Sequence, residues 1–177
     1  LSPNIYVRQG KIETTNKYKY LGNWLNNKGT FDTQLKHLKS TTPSMFEQLK
    51  QIETNIFLGR FSLQGQLLIY ETTILPALLY NIEAWTNITK TEEEEIEKIQ
   101  SKALKRIFNL PTSTPYYGIL METGIWTIKA QIIYRKLMFL YNVMHSDENR
   151  IIKSIIVNQM RNEEEGTWAM LLKNGMV

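Results

Sequence analysis

The chain has 177 residues, 42% of them apolar, enough for one buried core or for a small unit joined to a larger one. Its formal charge of +4 is only mildly basic, and the absence of cysteine excludes a disulfide framework and a thiolate metal site. No apolar run reaches the roughly eighteen residues of a membrane span, and the start, LSPNIYVRQG, has neither a signal-peptide pattern nor an initiator methionine, so a piece of a longer polypeptide is expected.

Residues 4–28 read as strands. Ile5 and Val7 alternate with polar neighbours, Gln9-Gly10-Lys11 has turn composition, and Ile12 opens the next apolar position. A second turn is expected at Asn16-Lys17. In NKYKYLGNWL, Tyr18 and Tyr20 alternate with Lys17 and Lys19, the pattern of a strand with one buried face. Asn26-Asn27-Lys28-Gly29 closes the segment.

From Thr30 the apolar period lengthens from about 2 to about 3.6 residues. Phe31, Leu35, Leu38, Thr42, Met45, Leu49, Ile52 and Ile56 then predict a helix, capped by Thr30 or Asp32 and kinked or split at Pro43. Residues 55–60 read as a loop, with Gly59 at a helix end. A second, well-buried helix is predicted from the N-cap Ser62 to Trp85, kinked at Pro76. The third helix, TKTEEEEIEKIQSKALKRIFNL, has Thr91 and Glu94 spaced as a capping box, glutamates at its positive end and Lys102, Lys105 and Arg106 near its negative end. Pro111 stops it. Residues 111–126 read as an ordered connection. Helices are expected over 127–144 and, from the N-cap Asp147, over 147–160, with a short one after Gly166.

Little in this chain suits catalysis. Its two aspartates, Asp32 and Asp147, each stand where a helix cap is needed, not as a cluster that could hold two metal ions. The Glu92–Glu95 run is explained by the helix dipole. His37 and His145 stand alone, and GxSxG, GxxxxGK[ST] and GxGxxG are all absent. The cations are more informative. Lys98, Lys102 and Lys105 recur on one helix face, with Arg106 beside them. Lys36 and Lys39 form a short row, and Arg135 and Lys136 stand together farther on. Such rows either track a phosphate backbone or simply solvate a helix face.

Three blocks carry a resemblance. KYKYLG, with Tyr18, Tyr20, Leu21 and Gly22, resembles the primer-grip block [FY]-x-Y-L-G of non-LTR retrotransposon reverse transcriptases. YETTILPALLYNIEAWT resembles the thumb signature P-x-L-L-Y-[GN]-x-E-x-W of that family, through Pro76, Leu78, Leu79, Tyr80, Glu83 and Trp85. IEKIQSKALKRIFNLPTSTP is similar to L-x-x-x-Q-x-x-x-L-R-x-I-x-x-x-P, through Gln100, Leu104, Ile107 and Pro111, with Lys105 where arginine is usual. Weaker likenesses follow at residues 123–140 and at Gly166-Thr167-Trp168. The family's [FY]-A-D-D box is absent.

The resemblance implies a mainly α fold (α+β): an end-of-palm antiparallel β element at 1–29, a helical thumb at 30–110 and a helical connector at 111–177. It implies a non-catalytic fragment of an RNA-directed DNA polymerase, with no cofactor of its own and the divalent metal in the parent's catalytic centre. The implied partners are an RNA–DNA or RNA duplex and the upstream palm of the same polypeptide, with no membrane and no small-molecule substrate. The implied setting is intracellular, nuclear or cytoplasmic. Expected nucleic-acid contacts are Tyr18, Lys19, Tyr20, Leu21, Gly22, Lys36, Lys39, Lys98, Lys102, Lys105, Arg106, Arg135 and Lys136. In the grip, the aromatics would anchor the strand from below while the intervening lysines meet phosphates. The bland reading packs those tyrosines into a core. A second function class is a free-standing helical scaffold, or a ribonucleoprotein-binding protein derived from a mobile element.

Overall fold

The structure is a computed structural model that describes residues 6–7, 10–11, 14–55, 62–85 and 87–162. It is mainly helical, with two small antiparallel hairpins at its N-terminal end. In the first, β1 (Tyr6–Val7) pairs with β2 (Gly10–Lys11), so Gly10 and Lys11 are strand residues where a turn was expected. In the second, β3 (Lys17–Tyr20) pairs with β4 (Asn23–Asn26), with Tyr18 opposite Leu25 and Tyr20 opposite Asn23.

Asn26 ties this hairpin to the next helix. Its side-chain oxygen accepts from the backbone N–H groups of Lys28 and Thr30, and its amide nitrogen reaches Asp32 Oδ1 at 2.7 Å. Helix α1 (Asp32–Asn55) then runs unbroken through Pro43, so the predicted split does not occur. Around the proline, which lacks an N–H, the hydroxyls of Ser40, Thr41, Thr42 and Ser44 turn back onto carbonyls of the preceding turn. The predicted Gly59 helix end lies outside the described residues.

The helix expected over 62–85 is instead four short pieces. They are α2 (Leu63–Ile69), a π-helical turn (Tyr70–Ile74), α3 (Leu75–Leu78) and a 3₁₀ turn (Ile82–Ala84). Ser62 caps the first piece, as predicted. Pro76 falls in the first turn of α3, where its missing N–H costs least. Asn81, with φ 55°, then reverses the chain in the left-handed region that asparagine tolerates. It occupies the Gly-or-Asn position of the thumb-like signature, and this backbone angle explains that choice.

Helix α4 (Lys90–Ile107) starts two residues earlier than its predicted box. Thr89 and Glu92 bond reciprocally, not Thr91 and Glu94, because the sequence offers Thr-x-x-Glu twice and the helix takes the longer option. The connection predicted over 111–126 contains a further helix, α5 (Tyr116–Thr123), ended by Gly124 at φ 72°. Helix α6 (Ile128–Met144) follows its N-cap Thr127. Asp147 caps a turn, accepting from Asn149 N–H, and α7 begins only afterwards (Ile151–Asn162). The short helix expected after Gly166 lies outside the described residues.

One contiguous core runs from Phe31 of α1 to Ile132 of α6, with Tyr70, Leu79, Ile96, Ala103, Leu104 and Ile128 fully buried. Val143 and Ile156 start a smaller cluster where α7 packs on the end of α6. Among the described residues, no helix is long and apolar enough to cross a membrane.

Candidate nucleic-acid interface

The β3–β4 hairpin turns in two residues. Leu21 (φ 45°) and Gly22 (φ 87°) both have positive φ, as a type I′ loop requires. Glycine adopts this freely, while leucine is strained there by about 1–2 kcal/mol. A side chain from far along the sequence pins the loop. The Tyr80 hydroxyl donates to the Leu21 carbonyl at 2.9 Å, and a Cβ on Gly22 would lie 3.3 Å from the Tyr80 ring. The first two resembling blocks therefore touch, 59 residues apart.

Every side chain of β3 is exposed, which overturns the expected buried face. Tyr18 and Tyr20 are 60% and 57% exposed and share the hairpin face that carries Leu25. Neither ring packs into the core of this chain, so the bland reading of them as core aromatics does not hold. The opposite face carries Lys17, Lys19, Trp24 and Asn26, and this is the side seated on α1. The Trp24 backbone N–H donates to Gln34 Oε1 at 2.9 Å, and the Trp24 ring meets His37 edge-on at 6.1 Å. Lys19 Nζ lies 6.0 Å from the centre of the Trp24 ring. A half-buried tryptophan holds the strand pair, therefore, and the tyrosines face outward.

The cations on α1 and α4 form a seam laced with carboxylates. Lys39 and Lys98 both bind Glu95, at 2.5 Å and 2.6 Å, and Arg106 pairs with Glu47. Lys36 lies 3.8 Å from Asp32. The two lysines that donate to Glu95, Lys39 first, pull its carboxyl down to about 2, and Glu95 in turn raises the Lys98 ammonium. Lys102 is exposed and forms no ion pair among the described residues. Lys105 turns aside to donate to the Thr112 carbonyl at 2.7 Å. Glu47 and Glu95 were missed as counter-charges. Glu95 meets Lys98 within α4, three residues apart, while only the packing of α1 beside α4 brings Lys39 to Glu95 and Glu47 to Arg106.

Arg135 and Lys136 do not act together. Neighbouring helical residues point about 100° apart. Lys136 is only 5% exposed, and burial lowers its pKa against the opposing pull of Glu93. Glu93 is raised, first by burial. In this arrangement Lys136 is closed to a phosphate, while half-buried Arg135 stays on the flank of α6.

Gln100, of the third resembling block, is fully buried at the crossing of α4, the π turn and α5. Its amide nitrogen donates to Tyr70 Oη at 2.6 Å and to the Trp126 carbonyl at 3.2 Å, and its oxygen accepts from the Tyr116 hydroxyl. Trp85, of the second block, packs edge-on to Phe31 at 5.4 Å in the core. These two residues build the scaffold beneath the surface cations.

No family model matches the chain, and no solved structure does. It is 29% identical over 128 residues to the probable RNA-directed DNA polymerase from transposon BS of Drosophila melanogaster, covering 68% of the chain and 13% of that protein. It is 26% identical over 110 residues to the RNA-directed DNA polymerase from mobile element jockey of Drosophila funebris, covering 62% of the chain and 12% of that protein. The matched stretch is thus about an eighth of each relative's length. Over that stretch the chain is similar to RNA-directed DNA polymerases of mobile elements, which agrees with the reverse-transcriptase-like resemblance of the three blocks.

Proposed function

We propose that this chain is a thumb-and-connector part of a reverse transcriptase that holds an RNA–DNA or RNA duplex through phosphate and shape contacts without reading sequence. The observation that carries this reading is the pinned hairpin. The grip-like turn at Leu21-Gly22 is fixed by Tyr80 of the thumb-like block, so strand and thumb present one preorganised surface. Lys17, Lys19 and Lys28 on that element, with Lys39, Lys98 and Lys102 on the seam, supply the positive charge. The exposed face of Tyr18, Tyr20 and Leu25 suits docking on the upstream palm, where the parent's catalytic aspartates and divalent metal would reside. Bond formation is then left to residues outside this chain.

The test is fluorescence anisotropy with a labelled RNA–DNA hybrid, using wild type and Lys17→Ala/Lys19→Ala. The reading expects weaker binding in the variant, with the same loss for hybrids of unrelated sequence. Equal affinity of the two proteins overturns it.

One observation favours the scaffold reading. Tyr134, Leu137, Met138, Tyr141 and Met144 leave an exposed apolar stripe on α6, and Ile151 and Ile155 of α7 are exposed as well. Such stripes mark protein contacts. Self-association of the chain with no measurable duplex affinity would favour this second reading.

A further inference from the structure

Apart from the lysine seam, the π-helical turn, the end of α5 and the first turns of α6 line an open cavity of about 310 Å³. Trp126 and Tyr134 form its aromatic corner, with ring centres 5.6 Å apart and planes at 87°. Both rings are about half exposed, at 53% and 48%. The backbone behind Trp126 is fixed, because buried Gln100 donates to its carbonyl at 3.2 Å. Glu71 is the charged residue of this lining, and it is exposed. It forms no ion pair among the described residues, in a chain whose formal charge is +4. Glu71 lies in the π turn, a local widening that re-aims side chains and is frequent at functional sites.

We infer that this corner binds an arginine side chain presented by a protein partner. Two rings at right angles offer negative faces from two directions, which suits a cation. The Glu71 carboxylate adds two acceptor oxygens that a guanidinium can meet in parallel. A nucleobase needs a flat platform or parallel walls, which a perpendicular pair does not offer, and a phosphate would be repelled by Glu71. The cavity is of side-chain size. The exposed residues Met138 and Tyr141 continue the same helix and suit the apolar neighbours of such an arginine. The inference does not depend on duplex binding and stands if that reading fails.

The test is NMR on the full 177-residue chain, following the indole N–H signal of Trp126 during titration with acetyl-arginine amide. Comparison with Trp126→Phe identifies the signal. A saturable shift in the millimolar range is expected. Acetyl-citrulline amide, the neutral isostere, should move the signal at least about fivefold less. Glu71→Gln should weaken arginine binding by a similar factor while the other indole signals keep their positions, which shows that the fold persists. Equal shifts from arginine and citrulline, or unchanged binding in Glu71→Gln, overturn the inference. So does the absence of a saturable arginine shift. Tighter saturation by adenosine monophosphate would make the corner a base platform and would overturn it as well.

Discussion

The Tyr80 hydroxyl holds the Leu21 carbonyl at 2.9 Å while its ring lies against Gly22, so a residue in the turn after α3 sets the shape of a hairpin loop 59 positions upstream. Leu21 and Gly22 both have positive φ, and a strained leucine persists there because the loop is held from outside. Gly22→Ala meets two obstacles at once, the φ of 87° and the Tyr80 ring at 3.3 Å. We expect a loss of about 1–2 kcal/mol in urea unfolding. Tyr80→Phe keeps the ring and loses one exposed bond, so a smaller loss of about 0.5 kcal/mol is expected. Amide exchange at Tyr20 and Asn23 should quicken in both variants, and unchanged exchange would remove the pin.

Gln100 satisfies three polar partners inside the core. Gln100→Leu leaves the Tyr70 hydroxyl and the Trp126 carbonyl buried without it, and should cost about 2–3 kcal/mol. Gln100→Glu, which cannot donate to either partner when ionised, should also destabilise. A double-mutant cycle of Gln100→Leu with Tyr70→Phe should show strong coupling, because each removes the other's partner. Additive losses would mean that the hub is no network.

Burial pushes the Tyr70 phenol up to about 12, against the opposing pull of its bond from Gln100. A raised pKa means that the folded state keeps a proton which the unfolded state releases first. The stabilisation is therefore whole below about pH 10 and is lost as pH climbs towards 12. Burial raises the Tyr116 phenol as well. Stability measured by denaturant between pH 9 and about 12 should fall, and Tyr70→Phe should flatten part of that fall. A variant with the same alkaline slope as wild type would contradict the assignment.

Part of this architecture is legible in the residues alone. Alternation marks β3, periodicity marks α1, α4 and α6, and Ser62 announces its helix, while the turn at Leu21-Gly22 goes unread because the strand pattern continues across it. The rest depends on packing between distant segments. The exposure of Tyr18 and Tyr20 cannot be read from alternation, because either face of a two-residue period can be the wet one. The π turn leaves no periodic trace in five residues, and α5 is hidden by the prolines and glycines around it. For the site, lysines on one helix face are visible in sequence. The Lys98–Glu95 pair follows from its spacing on one helix, but whether Lys39 reaches Glu95 or Lys136 is buried depends on which helix lies alongside.

Glu95 holds two of the proposed phosphate-binding lysines, so it competes with nucleic acid for them. Glu95→Gln should release Lys39 and Lys98 and remove one negative charge. We expect tighter binding of an RNA–DNA hybrid and a steeper salt dependence than in wild type. The same competition gives a pH effect. Protonating Glu95 needs pH near 2, so any stabilisation from this bridge is present above the ordinary carboxylate range, near 4.5, and fades as pH falls towards 2. Unchanged hybrid affinity in Glu95→Gln would show that Lys39 and Lys98 do not meet phosphates.

The central claim is that the lysines of the pinned hairpin and of the α1–α4 seam grip a duplex backbone. The most direct measurement is the slope of log affinity against log salt for an RNA–DNA hybrid. It should be taken for wild type, for Lys98→Ala/Lys102→Ala/Lys105→Ala and for Lys136→Met. The account predicts a steep wild-type slope that the triple variant reduces by about 2 units, from Lys98 and Lys102, together with affinity, while Lys136→Met leaves the slope as it is. A triple variant with the slope and affinity of wild type would contradict it and leave those lysines as a solvated helix face.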